Sequence, residues 1–217
     1  MKVYRLPPVR SALIFDMDST LYTNPEYARD QIDLPIRHLA RIRGCGFEDM
    51  KREIETCRET WARTRGEKIS LTNAFKEFGV SLEENIRWRE KLYEPSRYLK
   101  ADPVLGKTLD VLASSFSFAL VTNNPVSVAR KTLAVLGVAE FFTIMVGLDT
   151  CKVSKPHRAP FLKAREALGI PAGECIALGD RYDFDIAPPL ELGMGGILVD
   201  GVEDVYCLGE ILKRDPA

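Results

Sequence analysis

A chain of 217 residues, 46% hydrophobic and 28% charged, has the make-up of a globular protein able to bury one sizeable core or two small ones. Thirty Lys and Arg against 31 Asp and Glu leave a formal net charge of −1, so no overall basic field draws the chain to nucleic acid. No apolar run is long enough to span a membrane, the first ten residues lack the pattern of a signal peptide, and the five cysteines (Cys45, Cys57, Cys151, Cys175, Cys207) form no CxxC pair, which reads as reduced thiols in a cytoplasmic protein.

The first expected element is a strand at Ala12–Phe15, four apolar residues that run into Asp16 and, two positions on, Asp18. A continuous apolar run closed by a turn suits a strand buried on both faces of a parallel sheet. The two acids then lie past its carboxyl end, where open α/β sheets bind ligands. Taken alone, the pair reads equally well as an acidic loop, since close carboxylates otherwise need a cation, a proton or both. Residues 25 to about 93 change character. Charged and apolar residues interleave at helical spacing in Ile32, Ile36, Leu39, Ala40 and Ile42, and Gly44 and Gly46 end that helix. Phe47, Met50, Ile54 and Cys57 begin a second helix, Ser70 opens a short third that ends near Gly79, and Ser81 with Glu84 has the form of a capping box starting a fourth. Four helices without a strand make a small helical domain.

From Asp102, read as the N-cap of a helix with Pro103 in its first turn, strands and helices alternate. Strands are expected at 116–121, 142–146, 175–178 and 196–199, with helices at 125–136, 158–169 and 186–192 and a tail helix from about Glu203. Such alternation implies right-handed parallel crossovers. The expected fold class is α/β: a Rossmann-like parallel sheet of about five strands, built from residues 1–22 and 100–217, with residues 23–99 inserted as a helical cap.

The strand ends bring chemistry to one sheet edge. The first delivers Asp16 and Asp18, the second Thr122 and Asn123, the loop after the third Lys155, and the fourth Asp180 with Asp183 and Asp185 close behind. Converging carboxylates suit a hard divalent cation with oxygen ligands, most naturally Mg²⁺. A hydroxyl, an amide and a lysine beside them suit a phosphate, and a carboxylate can attack phosphorus to form an aspartyl-phosphate.

Four motifs in this order carry a resemblance: Phe15-Asp16-Met17-Asp18-Ser19-Thr20-Leu21, Val121-Thr122-Asn123-Asn124, Lys155-Pro156 and Gly179-Asp180-Arg181-Tyr182-Asp183-Phe184-Asp185. Together they resemble those of the haloacid dehalogenase (HAD) superfamily phosphatases. The resemblance implies that Asp16 is the nucleophile and a Mg²⁺ ligand. Asp18 would be the general acid and base, with its backbone carbonyl also on the metal. Thr122 and the backbone at Asn123 would hold phosphoryl oxygens, Lys155 would neutralise Asp16, and Asp180 would complete the metal site. Asp185, five residues after Asp180, fits the supporting acid better than Asp183. The inserted block resembles a C1-type cap, the lid of pyrimidine 5′-nucleotidase-like and phosphoglycolate phosphatase-like members. A small phosphorylated metabolite is the implied partner, with a nucleotide monophosphate, phosphoglycolate and sugar phosphates as candidates. Within the block, residues 61–66 are the expected substrate loop, and most of its arginines are expected on solvated faces. His38 and His157 are given no role. Alternatives are a phosphomutase on the same core, a phosphonatase with Lys51 or Lys68 forming an imine, and a non-catalytic phosphometabolite-binding module. A dehalogenase is disfavoured by Asp18. The physiological substrate and oligomeric state are not legible in the sequence.

Overall fold

The structure, a computed structural model, describes residues 1–212. In chain order it runs β1 (Lys2–Arg5), β2 (Ala12–Phe15), α1 (Pro25–Arg43), α2 (Phe47–Arg65), α3 (Leu71–Glu77), α4 (Leu82–Leu92), α5 (Pro103–Ala113), β3 (Ser117–Val121), α6 (Val126–Leu136) and β4 (Ile144–Val146). It continues with α7 (Leu148–Cys151), α8 (Ala159–Leu168), β5 (Cys175–Gly179), α9 (Ala187–Glu191), β6 (Gly195–Leu198), α10 (Val202–Tyr206) and α11 (Leu208–Leu212). The strands form one sheet in the order β1-β6-β5-β2-β3-β4.

Every pairing is parallel except that of β1 with β6. β2 lies between β5 and β3, with Phe15 level with Leu178 and Leu120. The chain leaves β2 toward β3 and returns on its other side as β5, so the carboxyl end of β2 sits at the switch point of the sheet. All four residues of β2 are buried. Leu13 and Phe15 face a cluster with Leu105 and Leu109 of α5 and Leu133 of α6, whereas Ala12 and Ile14 face one with Phe161 and Ala164 of α8. Helices on both faces explain why β2 has no polar alternation.

The sheet has six strands, one more than the expected five. The additional one, β1, has all four residues exposed. It is an edge strand held by backbone pairing to β6 and by the chain's terminal ammonium, which contacts Asp200 and Asp204 at 2.9 and 2.8 Å. A strand without a buried face leaves no period-two pattern to read.

Between β2 and α5 the chain builds the four expected helices, α1 to α4. Asn24 accepts a bond from the Tyr27 N–H to start α1, Ser81 and Glu84 form the capping box of α4, and Asp102 caps α5 by accepting from the Val104 and Leu105 N–H groups. The block has its own apolar cluster, with Ile36, Leu39, Met50, Ile54 and Phe75 among its members. Several of its side-chain links to the core are polar: Ser70 with Ser154 at 2.8 Å, Lys68 with Asp183 at 2.8 Å, and Ser127 donating to Glu90 at 2.6 Å, whereas Tyr27 near the start of α1 is buried in the apolar cluster under the sheet. All five cysteines are free thiols, with Cys175 buried in β5 as its apolar setting suggests. Among the described residues no helix is long and apolar enough to cross a membrane.

Candidate active site

Asp16 follows β2 directly. Its backbone N–H donates to the Leu178 carbonyl at 2.8 Å, which continues the parallel ladder one residue past the strand and pins the side chain at the sheet edge. Lys155 arrives from the loop after α7 and is fully buried. Its ammonium donates to Asp16 Oδ1 at 2.5 Å, Asp185 Oδ1 at 2.6 Å and the Val121 carbonyl at 3.0 Å. The loop is held by Asn123, whose side chain accepts from the Lys155 N–H at 2.7 Å and donates to the Lys155 carbonyl at 3.2 Å. Thr122 is buried beside it, with its hydroxyl oxygen accepting from the Asn124 N–H.

Asp185 is also buried. Its second oxygen accepts from the Arg181 N–H at 3.1 Å. Gly179 makes room for it, because a Cβ there would stand 2.3 Å from the Cβ of Asp185. Asp16, Asp180 and Asp185 each offer a carboxylate oxygen, all within 4.8 Å of one another. Asp183 points elsewhere: it is exposed and pairs with Lys68 of the helical block. Asp185→Asn is therefore expected to reduce turnover of an aryl phosphate by at least about tenfold more than Asp183→Asn, since only the former breaks a buried ion pair. Parallel steady-state assays read the difference, and the reverse order contradicts the assignment.

The electrostatics of this cluster are short of positive charge. Burial pushes the Asp16 carboxyl up to about 8; Lys155 pulls it down, and Asp185, Asp180 and Asp18 raise it further. Burial, then Asp185, raise Asp180 to about 6. Burial works against the Lys155 ammonium too, but Asp16 and Asp185 more than offset this and hold it above its ordinary value. Two buried oxygens, Asp16 Oδ2 and Asp180 Oδ1, have no hydrogen-bond partner. Clustered buried carboxylates with oxygens that lack a hydrogen bond, Asp180 Oδ1 having only the Arg181 guanidinium at 3.6 Å, are the donor set a hard divalent cation takes, so the residues present fit Mg²⁺.

Asp18 is half-buried at the mouth of the site and is held by three donors. Tyr22 O–H and Gln31 Nε2 donate to its Oδ1 at 2.5 and 2.9 Å, and Asn124 Nδ2 donates to its Oδ2 at 2.8 Å. Burial, then the charge of Asp18, hold the Tyr22 phenol well above its ordinary pKa and keep it a donor. Ser19 turns the chain with φ of 58°, a left-handed conformation uncommon outside glycine. Asp18, Asn123, Asn124 and Asp180 line a cavity of about 270 Å³ whose opposite wall is Gln31, Thr72 and Arg89 of the helical block.

Gln31, Arg89, Asn124 and Tyr22 are site residues that the sequence reading passes over. Asn124 closes the second motif, where it was given no role of its own, and Tyr22 follows the first. Arg89 left one signal: with Asn85 it occupies the interior of the stripe Leu82, Asn85, Arg89, Leu92, so the buried face of α4 carries two polar residues. The expected substrate loop, by contrast, does not line this cavity. Residues 61–65 form the last turns of α2 and Gly66 caps them; Ala62 and Gly66 line a separate cleft of about 780 Å³ with Lys68, His157 and Asp183. Position within the block had suggested the loop, but how α2 docks decides it. Lys51 pairs with Asp33 at 3.0 Å inside the block and Lys68 with Asp183, and neither lines the cavity beside Asp18, which removes the two candidate imine-forming lysines. His38 packs edge-on against Trp88, and exposed His157 accepts from the Ala159 N–H at the start of α8.

A sheet whose central strand ends on a buried aspartate, with a buried lysine and a carboxylate cluster at its carboxyl edge, defines a class, and comparison with known proteins names it. The family model of haloacid dehalogenase-like hydrolases matches residues 11–193. The chain belongs to the haloacid dehalogenase-like hydrolases, and its phosphatase relatives make it a phosphatase among them. It is 26% identical over 214 residues to the 5-amino-6-(5-phospho-D-ribitylamino)uracil phosphatase YigB of Escherichia coli (strain K12), covering 89% of this chain and 85% of that protein. A phosphoglycolate phosphatase of Salmonella paratyphi A is 29% identical over 194 residues, covering 80% of this chain and 75% of the relative. Among solved structures, a HAD phosphatase from Thermococcus onnurineus superimposes with a TM-score of 0.62 at 21% identity over 95% of this chain and all of that one, which establishes a shared fold.

Proposed function

We propose that the protein is a Mg²⁺-dependent phosphomonoesterase that works through an aspartyl-phosphate on Asp16 and acts on a small phosphorylated metabolite of the kind its relatives' names describe. The observation that carries this is the state of Asp16. One oxygen is fixed by Lys155, and the other is buried without a partner beside Asp180. That second oxygen has no protein partner to hold it away from what the site takes up. Asp16, Asp180 and the backbone carbonyl of Asp18 would hold the metal, with Asp185 fixing Lys155 behind them. When bound, Mg²⁺ supplies positive charge beside the transferring phosphoryl group.

In the first half-reaction Asp16 attacks phosphorus, the bond to the leaving oxygen breaks, and Asp18 gives that oxygen a proton. In the second, Asp18 takes a proton from water, the water oxygen bonds to phosphorus, and the bond to Asp16 breaks to release phosphate. Thr122 and the Asn123 backbone steady the phosphoryl oxygens, and Lys155 neutralises charge on the Asp16 side; phosphoryl transfer needs little more than such positioning and charge. Residues 23–99 act as the cap. The polar contacts at Lys68 and Ser70 suit a boundary that opens and closes, Tyr27 anchors the start of α1 in the core, and the apolar cluster inside the block keeps it rigid.

The metal requirement has a pH signature. In the metal-free protein Asp16 holds a proton that the unfolded chain releases near its ordinary 3.8, because burial raises the folded value to about 8. A raised folded pKa contributes stability that is complete below the unfolded value and is lost as the pH climbs through the folded one. Mg²⁺ competes with that proton. The increase in melting temperature caused by a fixed Mg²⁺ concentration is therefore expected to grow from about pH 6 to about pH 8 in a thermal-shift assay, with EDTA abolishing both this increase and turnover. An increment that is flat or shrinks over that range contradicts the metal site.

A further inference from the structure

We propose that Arg89 recognises a carboxylate on the leaving group, so that the substrates are phosphate monoesters of short hydroxycarboxylic acids. This rests on the phosphatase reading above and adds the chemical class of the alcohol. Arg89 projects from α4 into the wall of the cavity beside Asp18 and is only 7% exposed. Its Nε donates to Asn85 Oδ1 at 2.8 Å, Nη1 to Asn124 Oδ1 at 2.7 Å and to the Asn123 carbonyl at 3.4 Å, and Nη2 to Thr72 Oγ1 at 3.2 Å. Every acceptor is neutral. Among the described residues no carboxylate lies within ion-pair distance of this guanidinium, although the other buried cation of the site, Lys155, has two.

A buried charge is costly unless it is paired. Packing α4 against the sheet does not require a guanidinium, and its surroundings, the neutral acceptors and the Tyr93 ring centroid 5.7 Å from Cζ, supply no full counter-charge. An anion entering the cavity completes the pairing, and a planar guanidinium matches a carboxylate in bidentate geometry. Position identifies which part of the substrate carries it. Asn124 accepts from Arg89 with Oδ1 and donates to Asp18 with Nδ2, so one side chain separates the cation from the group that protonates the leaving oxygen. The anion therefore belongs to the leaving alcohol, close to the ester oxygen. Size selects a carboxylate rather than a second phosphate: the cavity measures about 270 Å³ and must also admit the transferring phosphoryl group, placing it below the roughly 300–1,000 Å³ of pockets that take larger ligands.

The test compares kcat/KM for 2-phosphoglycolate with that for 2-hydroxyethyl phosphate, a near-isostere lacking the carboxylate, with p-nitrophenyl phosphate as reference. The wild type is expected to favour 2-phosphoglycolate over the isostere by at least about tenfold, the value of a charge-assisted hydrogen bond. In Arg89→Met that ratio falls to near one, mainly through KM for 2-phosphoglycolate, and Arg89→Lys keeps part of it. Ratios within one variant cancel any general loss transmitted through Asn124 or through folding, and the wild-type ratio needs no variant. Turnover of p-nitrophenyl phosphate with a wild-type ratio near one, a preference for a nucleoside monophosphate, or a preference that survives Arg89→Met overturns this inference while leaving the phosphatase reading intact. Failure to hydrolyse all three esters overturns both.

Discussion

Asp16→Asn is expected to remove turnover of p-nitrophenyl phosphate by on the order of 10⁶-fold, the scale of loss when a covalent nucleophile is deleted from other enzymes, while the protein stays folded. The two halves of this expectation have separate physical grounds. An amide oxygen can still accept from the Lys155 ammonium, and Lys155 keeps Asp185 as its counter-charge. Asn has almost the shape of Asp and no carboxylate for burial to penalise. In EDTA the variant should therefore be at least as stable as the wild type, and its stability should fall less steeply between about pH 4 and about pH 8, because Asp16 alone is raised to about 8. What the amide lacks is a nucleophilic oxygen. Kinetics and a pH series of melting curves on the same sample separate lost chemistry from lost structure. Substantial residual turnover, or a variant that unfolds, contradicts this account of Asp16.

Lys155→Met has the opposite character: it should remove activity and much of the stability together. Among the described residues the ammonium is the one cation within hydrogen-bond reach of the two buried acids Asp16 and Asp185, the Arg181 guanidinium standing 3.8 Å from Asp185, and it is itself fully buried. Deleting one partner of a buried ion pair strands the rest, at a cost of about 3–5 kcal/mol. For a domain of this size each kcal/mol lowers Tm by roughly 2–4 °C, so a fall of roughly 6–20 °C is expected in EDTA. Mg²⁺ should recover part of that loss, because a divalent cation beside the same carboxylates replaces the missing charge. Turnover should not return with it. In the proposed mechanism the lysine also neutralises charge during transfer, and, with Asn123 clamping its backbone, it holds Asp16 Oδ1. Differential scanning fluorimetry with and without Mg²⁺, alongside an aryl phosphate assay, reads all three effects. An unchanged Tm in EDTA would falsify the view that Lys155 holds this cluster together.

The parts of the molecule legible in the sequence are those where local pattern and global position coincide. Ala12–Phe15 is apolar at every position because a central parallel strand has no wet face, so the acids after it had to lie at the sheet edge. The same reasoning brought Thr122, Lys155 and Asp180 to one place without any knowledge of their contacts. The resemblance favoured Asp185 over Asp183, and the one is buried whereas the other pairs with Lys68 at the surface. Elements whose pattern is set by partners were not legible. β1 is exposed throughout and exists because β6 offers it a backbone edge. Arg89 and Gln31 reach the site only through the docking of α1 and α4, which periodicity within each helix does not specify. Residues 61–66 were misplaced for the same reason, since a helix end rich in Arg and Trp is equally compatible with facing the site or facing away.

The central claim is that Asp16 itself carries the phosphoryl group during turnover. Acid-quenched enzyme from the pre-steady state, digested with trypsin, tests it most directly, because residues 11–29 form one peptide without an internal Lys or Arg. The expected result is a gain of one phosphoryl mass on that peptide, assigned by fragmentation to Asp16, absent in Asp16→Asn and removed by hydroxylamine. A phosphoryl group on Asp18 or on any other residue, or product formation with no labelled peptide at any quench time, would contradict it.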